Sequence, residues 1–189
     1  MSCERLIRKY GVPLTIQRTP TTTIYGNIKG STSNNVEDRY NFSELIGTLC
    51  TPLLTDGEVI YDSYGLRYFL AVDIIQGMKN GVTQYVKALL LRCNSTVTIQ
   101  KLVNGVLTTV TANVHCLITK SRFRLPEDES MYRERAGGIQ QMNFIYMAAS
   151  AGLLPIHYIN DGTRSLKVLD NISPYTAGGI IEAQAVLEA

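Results

Sequence analysis

Tryptophan is absent from this 189-residue sequence, histidine occurs twice and cysteine four times. Each scarcity closes off chemistry. Cys3, Cys50, Cys93 and Cys116 stand singly, with no C-x-x-C pair, whereas zinc sites draw on closely spaced ligands. They read as buried free thiols in a reducing compartment. His115 and His157 are the only candidate bases for a Ser-His-Asp triad, and no nucleophile-elbow sequence lies near either. Cys116 cannot use His115 as its base, because adjacent residues of a strand point to opposite faces.

Charge is also scarce. Charged residues make up 18% of the chain and the net charge is +2. Soluble domains carry about a quarter charged residues, so more uncharged surface is left here for contact with neighbours. A duplex-binding module shows a clear basic excess, and this chain has none. No apolar run reaches the ~18 residues that span a bilayer; the longest candidate, Tyr68 to Ile75, is interrupted by Asp73. The opening MSCERLIRKYG lacks the apolar core of a signal peptide, and the chain is expected to be made and used in solution in a cytoplasm. Lys29-Gly30-Ser31-Thr32 has the wrong residue order for a phosphate loop. Glu127-Asp128-Glu129 lacks calcium-loop spacing. No catalytic residue, metal or cofactor is expected.

What the chain does contain is strand patterning with glycine turns. Leu14 to Arg18 and Thr23 to Lys29 read as strands. Residues 41–54 are open between helix and strand, since Phe42, Leu45, Ile46 and Leu49 have helical spacing before Pro52. Lys79-Asn80-Gly81, Asn104-Gly105 and Asn160-Asp161-Gly162 mark hairpins, because Asn and Gly accept the positive φ of tight turns. The eleven tyrosines suit both strands and interfaces.

The pattern repeats. Leu14-Thr15-Ile16-Gln17-Arg18 is similar to Val97-Thr98-Ile99-Gln100-Lys101. Further on, a single offset matches Tyr61 with Tyr158, Gly65 with Gly162, Arg67 with Arg164, Asp73 with Asp170, Gly81 with Gly178, Ala88 with Ala185 and Leu90 with Leu187. The expected fold is mainly β: two tandem small barrels or sandwiches from an internal duplication, with long loops and little helix. Residues 1–12 would be an N-terminal arm, 13–93 the first domain and 94–189 the second. The second half's extra residues fall in the charged segment 120–138.

The opening LIRKYGVPLTIQR resembles the start of head-closure, or head–tail joining, proteins of tailed bacteriophages. The closing region is similar to theirs as well, through Asp161-Gly162, Leu166-Lys167-Val168, Ile172-Ser173-Pro174-Tyr175 and Gly178-Gly179-Ile180. A typical member is a single barrel of about half this length. The resemblance implies a structural virion protein of the neck or gateway, assembled in the host cytoplasm. It implies a sixfold or twelvefold homo-oligomeric ring that contacts a portal or adaptor and a tail-terminator or tail-tube protein. Genomic DNA would pass through the lumen without sequence-specific binding, and no membrane is involved. By the same analogy Lys120, Arg122, Arg124, Arg133 and Arg135 belong to an inter-subunit or lumen loop, and Arg5, Arg8 and Lys9 to a docking arm. The alternatives are a tail-terminator or baseplate ring, and a ligand-binding or enzymatic barrel.

Overall fold

The computed structural model describes residues 7, 9–18, 20–30, 44–49, 54–62, 64, 66–79, 81–120, 142–174 and 179–188. The protein is mainly β. Six strands, β1 (Val12–Ile16), β2 (Thr22–Gly30), β3 (Glu44–Leu49), β4 (Val59–Asp62), β5 (Arg67–Lys79) and β6 (Val82–Arg92), close into a barrel in the order β1-β2-β3-β6-β5-β4. A second closed barrel follows, from β7 (Ser95–Val103), β8 (Val106–Thr119), β9 (Met142–Ala148), β10 (Tyr158–Asn160), β11 (Ser165–Pro174) and β12 (Ile180–Leu187). Read round the ring, the second order is β7-β8-β9-β12-β11-β10, the same path as the first. Residues 41–54, open between helix and strand in the sequence, contain strand β3. It is paired with β2 on one side and β6 on the other, and two ladders override helical spacing.

Each of the six strand interfaces contains a corresponding pair, although β7 and β8 shift register after Val97 where β1 and β2 stay regular. Leu14 faces Ile24 as Val97 faces Val114. Ile16 faces Ile60 as Ile99 faces Ile159. Asn27 faces Thr48 as Leu117 faces Tyr146. Thr48 faces Lys87 as Tyr146 faces Glu182. Ile60 faces Phe69 as Ile159 faces Leu166, and Ala71 faces Leu90 as Val168 faces Ala185. The ladder from β5 to β6 is irregular between Val72 and Ile75, and its counterpart between Val168 and Ile172. Stagger sets a barrel's diameter and tilt, and the two barrels close through corresponding pairs.

Side-chain alternation then decides what fills them. Leu14, Ile16, Ile24, Ile60, Phe69, Ala71, Val86, Ala88 and Leu90 pack the first interior. Val97, Ile99, Val114, Ile159, Leu166, Val168, Ala183 and Ala185 pack the second, with Cys116, Ile145 and Met147. A six-stranded barrel is narrow, and alanines leave room for the branched side chains opposite. Each Val, Leu, Ile, Phe or Met side chain fully removed from water contributes about 1.5–3 kcal/mol.

Two turns share an aspartate that binds a backbone N–H and an arginine fork. Between β4 and β5, Asp62 Oδ1 accepts the Tyr64 N–H at 3.0 Å while Oδ2 takes the Arg67 fork, Nε at 3.2 Å. Between β10 and β11, Asp161 Oδ1 accepts the Thr163 N–H at 3.0 Å while Oδ2 takes the Arg164 fork, Nε at 2.9 Å. Burial opposes ionisation of Asp161, but the bonds from Thr163 and Arg164 outweigh it and hold its carboxyl well below the usual range. The Asp161 loop is the shorter, so Asp62 and Asp161 fall out of step with the single offset that matches Arg67 to Arg164. The same register shows that Tyr158 occupies the place of Val59, not that of Tyr61.

Asp62 is the more deeply buried of the two aspartates. Asp62→Asn should therefore cost about 2 kcal/mol and Asp161→Asn about 1 kcal/mol, read as shifts in the midpoint of denaturant unfolding. Equal losses would mean that the depth of the turn is irrelevant.

Candidate functional site

The barrels stand side by side along a seam. At one end Tyr68 lies flat against His115, with ring centroids 3.5 Å apart, and Tyr61 stacks on Tyr68 at 4.6 Å. In the middle, Leu70, Val72 and Leu91 of the first barrel join Leu117, Tyr146, Ala148 and Ile180 of the second in one buried cluster, flanked by Val59, Leu89 and Cys93. At the far end Gly57 and Gly179 meet backbone to backbone, leaving no room for a Cβ on either. The stack involves the start of β5 and the end of β8, and the glycines precede β4 and β12. Corresponding barrel ends therefore point the same way.

The seam residues lie outside their barrels, on faces that water would otherwise cover. Two of the equivalent outward positions on the other faces are polar, exposed Asn27 corresponding to Leu117 and exposed Lys167 to Leu70, whereas half-buried Val186 corresponds to Leu91. The seam thus joins two different faces of a shared architecture.

Cys93 and Cys116 show what burial does to the thiols. Burial pushes Cys93 up to about 12, and it raises Cys116 still further with help from Cys93 and Asp161. Neither is a nucleophile at neutral pH. Cys116 points into the barrel and His115 into the seam. His115 Nδ1 lies 3.0 Å from Thr96 Oγ1, a distance that fits nucleophile and base. Among the described residues, however, no charged group acts on the ring, whose pKa is lowered by burial alone, and its face is committed to Tyr68. A triad needs a third group to orient the base, so the arrangement reads as packing. Among the described residues no cluster of three His, Cys, Asp or Glu could hold a metal.

Beyond the seam, each barrel carries the same turn before its fourth strand. Thr55 O accepts the Glu58 N–H and Leu154 O the His157 N–H, both at 3.2 Å. The side chain then reaches back: the Thr55 N–H donates to Glu58 Oε2 at 2.8 Å, and the Leu154 N–H to His157 Nδ1 at 3.2 Å. The turn requires positive φ at its third residue. Gly57 supplies it at 85°, while Ile156 is forced to 64°, a conformation costing a β-branched residue about 1–2 kcal/mol. Arg18 pairs with Glu58 at 3.2 Å. The corresponding Lys101 stands by His157, which burial and then this neighbouring charge hold neutral, with a lowered pKa.

Among the described residues, the longest exposed stretch is the outer half of the β7–β8 hairpin. Every residue from Lys101 to Val110 is exposed, with Leu102 at 55% and Val106 at 66%. Asn104 and Gly105 both take positive φ, 50° and 81°, the tight turn that matches strand twist. Exposed Leu154 and Ile156 lie next to the base of this ribbon, because Tyr158 pairs with Gln100. On the first barrel the β5–β6 hairpin exposes Ile75 and Met78 at the same end of the body, and the Tyr85 ring covers Gly77.

Of the residues singled out in the sequence, Lys120 is exposed just past β8, and Lys9 is exposed in a helical turn with its ammonium 5.1 Å over the Tyr10 ring. Arg122, Arg124, Arg133, Arg135, Arg5 and Arg8 lie outside the described residues, as do Cys3 and Cys50. The projecting ribbon went unrecognised in the sequence, where its turn read as an ordinary barrel hairpin. Its signal was Leu102-Val103 and Val106-Leu107, apolar on both faces where a barrel strand would alternate. No protein-family model matches the chain, and none of the curated proteins or solved structures compared with it matches significantly.

Two outcomes check this geometry. With Cys3 and Cys50 replaced by serine, Gly179→Val should speed thiol labelling of Cys93 by at least about tenfold, because the seam must open to admit a side chain; an unchanged rate would place Cys93 outside the seam. The lowered pKa values of His115 and His157 leave the unfolded chain holding more protons below its ordinary 6.5. Their contribution is complete above pH 6.5 and is lost as pH falls through the lowered values. The melting temperature should drop on acidification below pH 6.5, and less steeply in His157→Gln, which keeps an acceptor for Leu154.

Proposed function

We propose that this chain is a structural assembly protein, and that it serves as a ring-forming component of a tailed-bacteriophage neck, linking portal and head to the tail and helping to retain or pass DNA. The observation that carries the structural half of this reading is where the apolar side chains go. Both barrel interiors are filled by apolar side chains, and further apolar groups are spent on the seam and on an exposed ribbon. Filled interiors and apolar exteriors suit a protein that works by contact. The neck assignment is supported by the resemblance of the first strand and of the last hairpin to head-closure proteins. The shared strand path and register support descent of the two barrels from one ancestral unit, which would account for a chain about twice the usual length of that group.

The chain used as bait against portal or adaptor protein, and separately against tail-tube protein, tests the assignment. Retention of portal or adaptor, with rings visible by electron microscopy, is the expected result. Retention of tail-tube protein alone would move the chain to the tail terminus or baseplate. Binding to neither, with a strong rise in melting temperature on adding a small molecule, would make it a ligand-binding barrel.

A further inference from the structure

Closed barrels have no sheet edges, but the β7–β8 ribbon leaves the barrel and regains two. The β7 edge runs beside the Leu154–His157 turn. The β8 edge is covered at its base, where Thr111 Oγ1 donates to Ala151 O at 3.1 Å, and β9 pairs with β8 only from Cys116 to Thr119. Over Val106 to Thr109, β8 pairs with β7 alone among the described residues, and Val110 is bulged out of that ladder. Natural sheets blunt such edges with lysine, proline or a bulge. This one carries Val106-Leu107-Thr108-Thr109-Val110, with neither charge nor proline, and its bulge comes only at the inner end, at Val110. A two-stranded ribbon is marginal in water and needs further strands or a covering surface.

The edge is complementary to itself. When two copies run antiparallel with Thr108 on the axis, Val106 of each faces Val110 of the other, and Leu107 faces Thr109. Cross-strand β-branched pairs favour such a ladder, no charge opposes it, and a twofold contact uses the same patch on both copies. The geometry points to a second copy of this chain as the occupant. Two molecules join through antiparallel β8–β8 pairing centred on Thr108, making one four-stranded sheet from two ribbons. The contact is independent of the neck assignment, because it follows from the ribbon alone.

Sedimentation of the full chain over a wide concentration range tests the contact, together with the variant V106K/V110K, whose two substituted positions are exposed. A monomer–dimer equilibrium weakened at least about tenfold in that variant is expected. Thr108→Cys, with Cys3 and Cys50 replaced by serine, should cross-link to itself under mild oxidation, since facing residues of antiparallel strands come within disulfide reach. Lys101→Cys, on the other strand, should not. The cross-link gives an answer even if the lysine variant folds poorly. A wild-type chain that stays monomeric throughout, association of any order untouched by the lysines, or cross-linking at Lys101→Cys as readily as at Thr108→Cys would each overturn the proposal. Monomers whose ribbon is protected only by a different protein would overturn it as well, assigning the edge to that partner.

Discussion

Everything in this protein depends on the closure of two small sheets. A six-stranded sheet can join its first strand to its fourth only if the stagger at every interface adds up, and here it does so through Ile16 against Ile60 and Ile99 against Ile159. Closure decides which residue of each pair faces inward. With the inside assigned, the opposite set is outside. An outward Leu70 or Tyr146 must then be covered by something other than its own barrel.

The seam answers that need. It covers outward apolar residues of one barrel with those of the other, and aromatic stacking and a glycine contact limit it at its two ends. Equivalent positions differ in character because the faces differ in what they touch. The repeated turns show the complementary case. Asp62 and Asp161 share a geometry because each closes the same hairpin, whereas Glu58 and His157 share a role in different chemistry. The histidine version brings an imidazole that burial and Lys101 hold neutral, beside a strained Ile156 that the glycine version avoids.

The ribbon follows from the same logic. Beyond the point where β10 and the turn after β9 stop, β7 and β8 have no barrel to belong to, and their apolar side chains have no interior. Exposed surface of this kind points to contact between molecules. The protein is a two-barrel body that presents apolar hairpins from one end.

Much of the fold was legible in the sequence. Alternation in Leu14 to Arg18, and the turns at Asn80-Gly81, Asn104-Gly105 and Asp161-Gly162, are local signals, and local signals survive without tertiary context. The similarity of Leu14–Arg18 to Val97–Lys101 was also visible there. The true correspondence of the halves was not, because each strand has its own offset and only the ladders reveal them. Tyr61 and Tyr158 match in the sequence but not in register, while Asp62 and Asp161 match in the fold but not at the sequence offset. Residues 44–49 became a strand because two neighbours supplied ladders. The seam and the open edge of β8 were decided by tertiary structure alone. Whether an outward leucine is buried, or a strand edge left free, depends on what stands beside it, and one strand's residues hold no record of that.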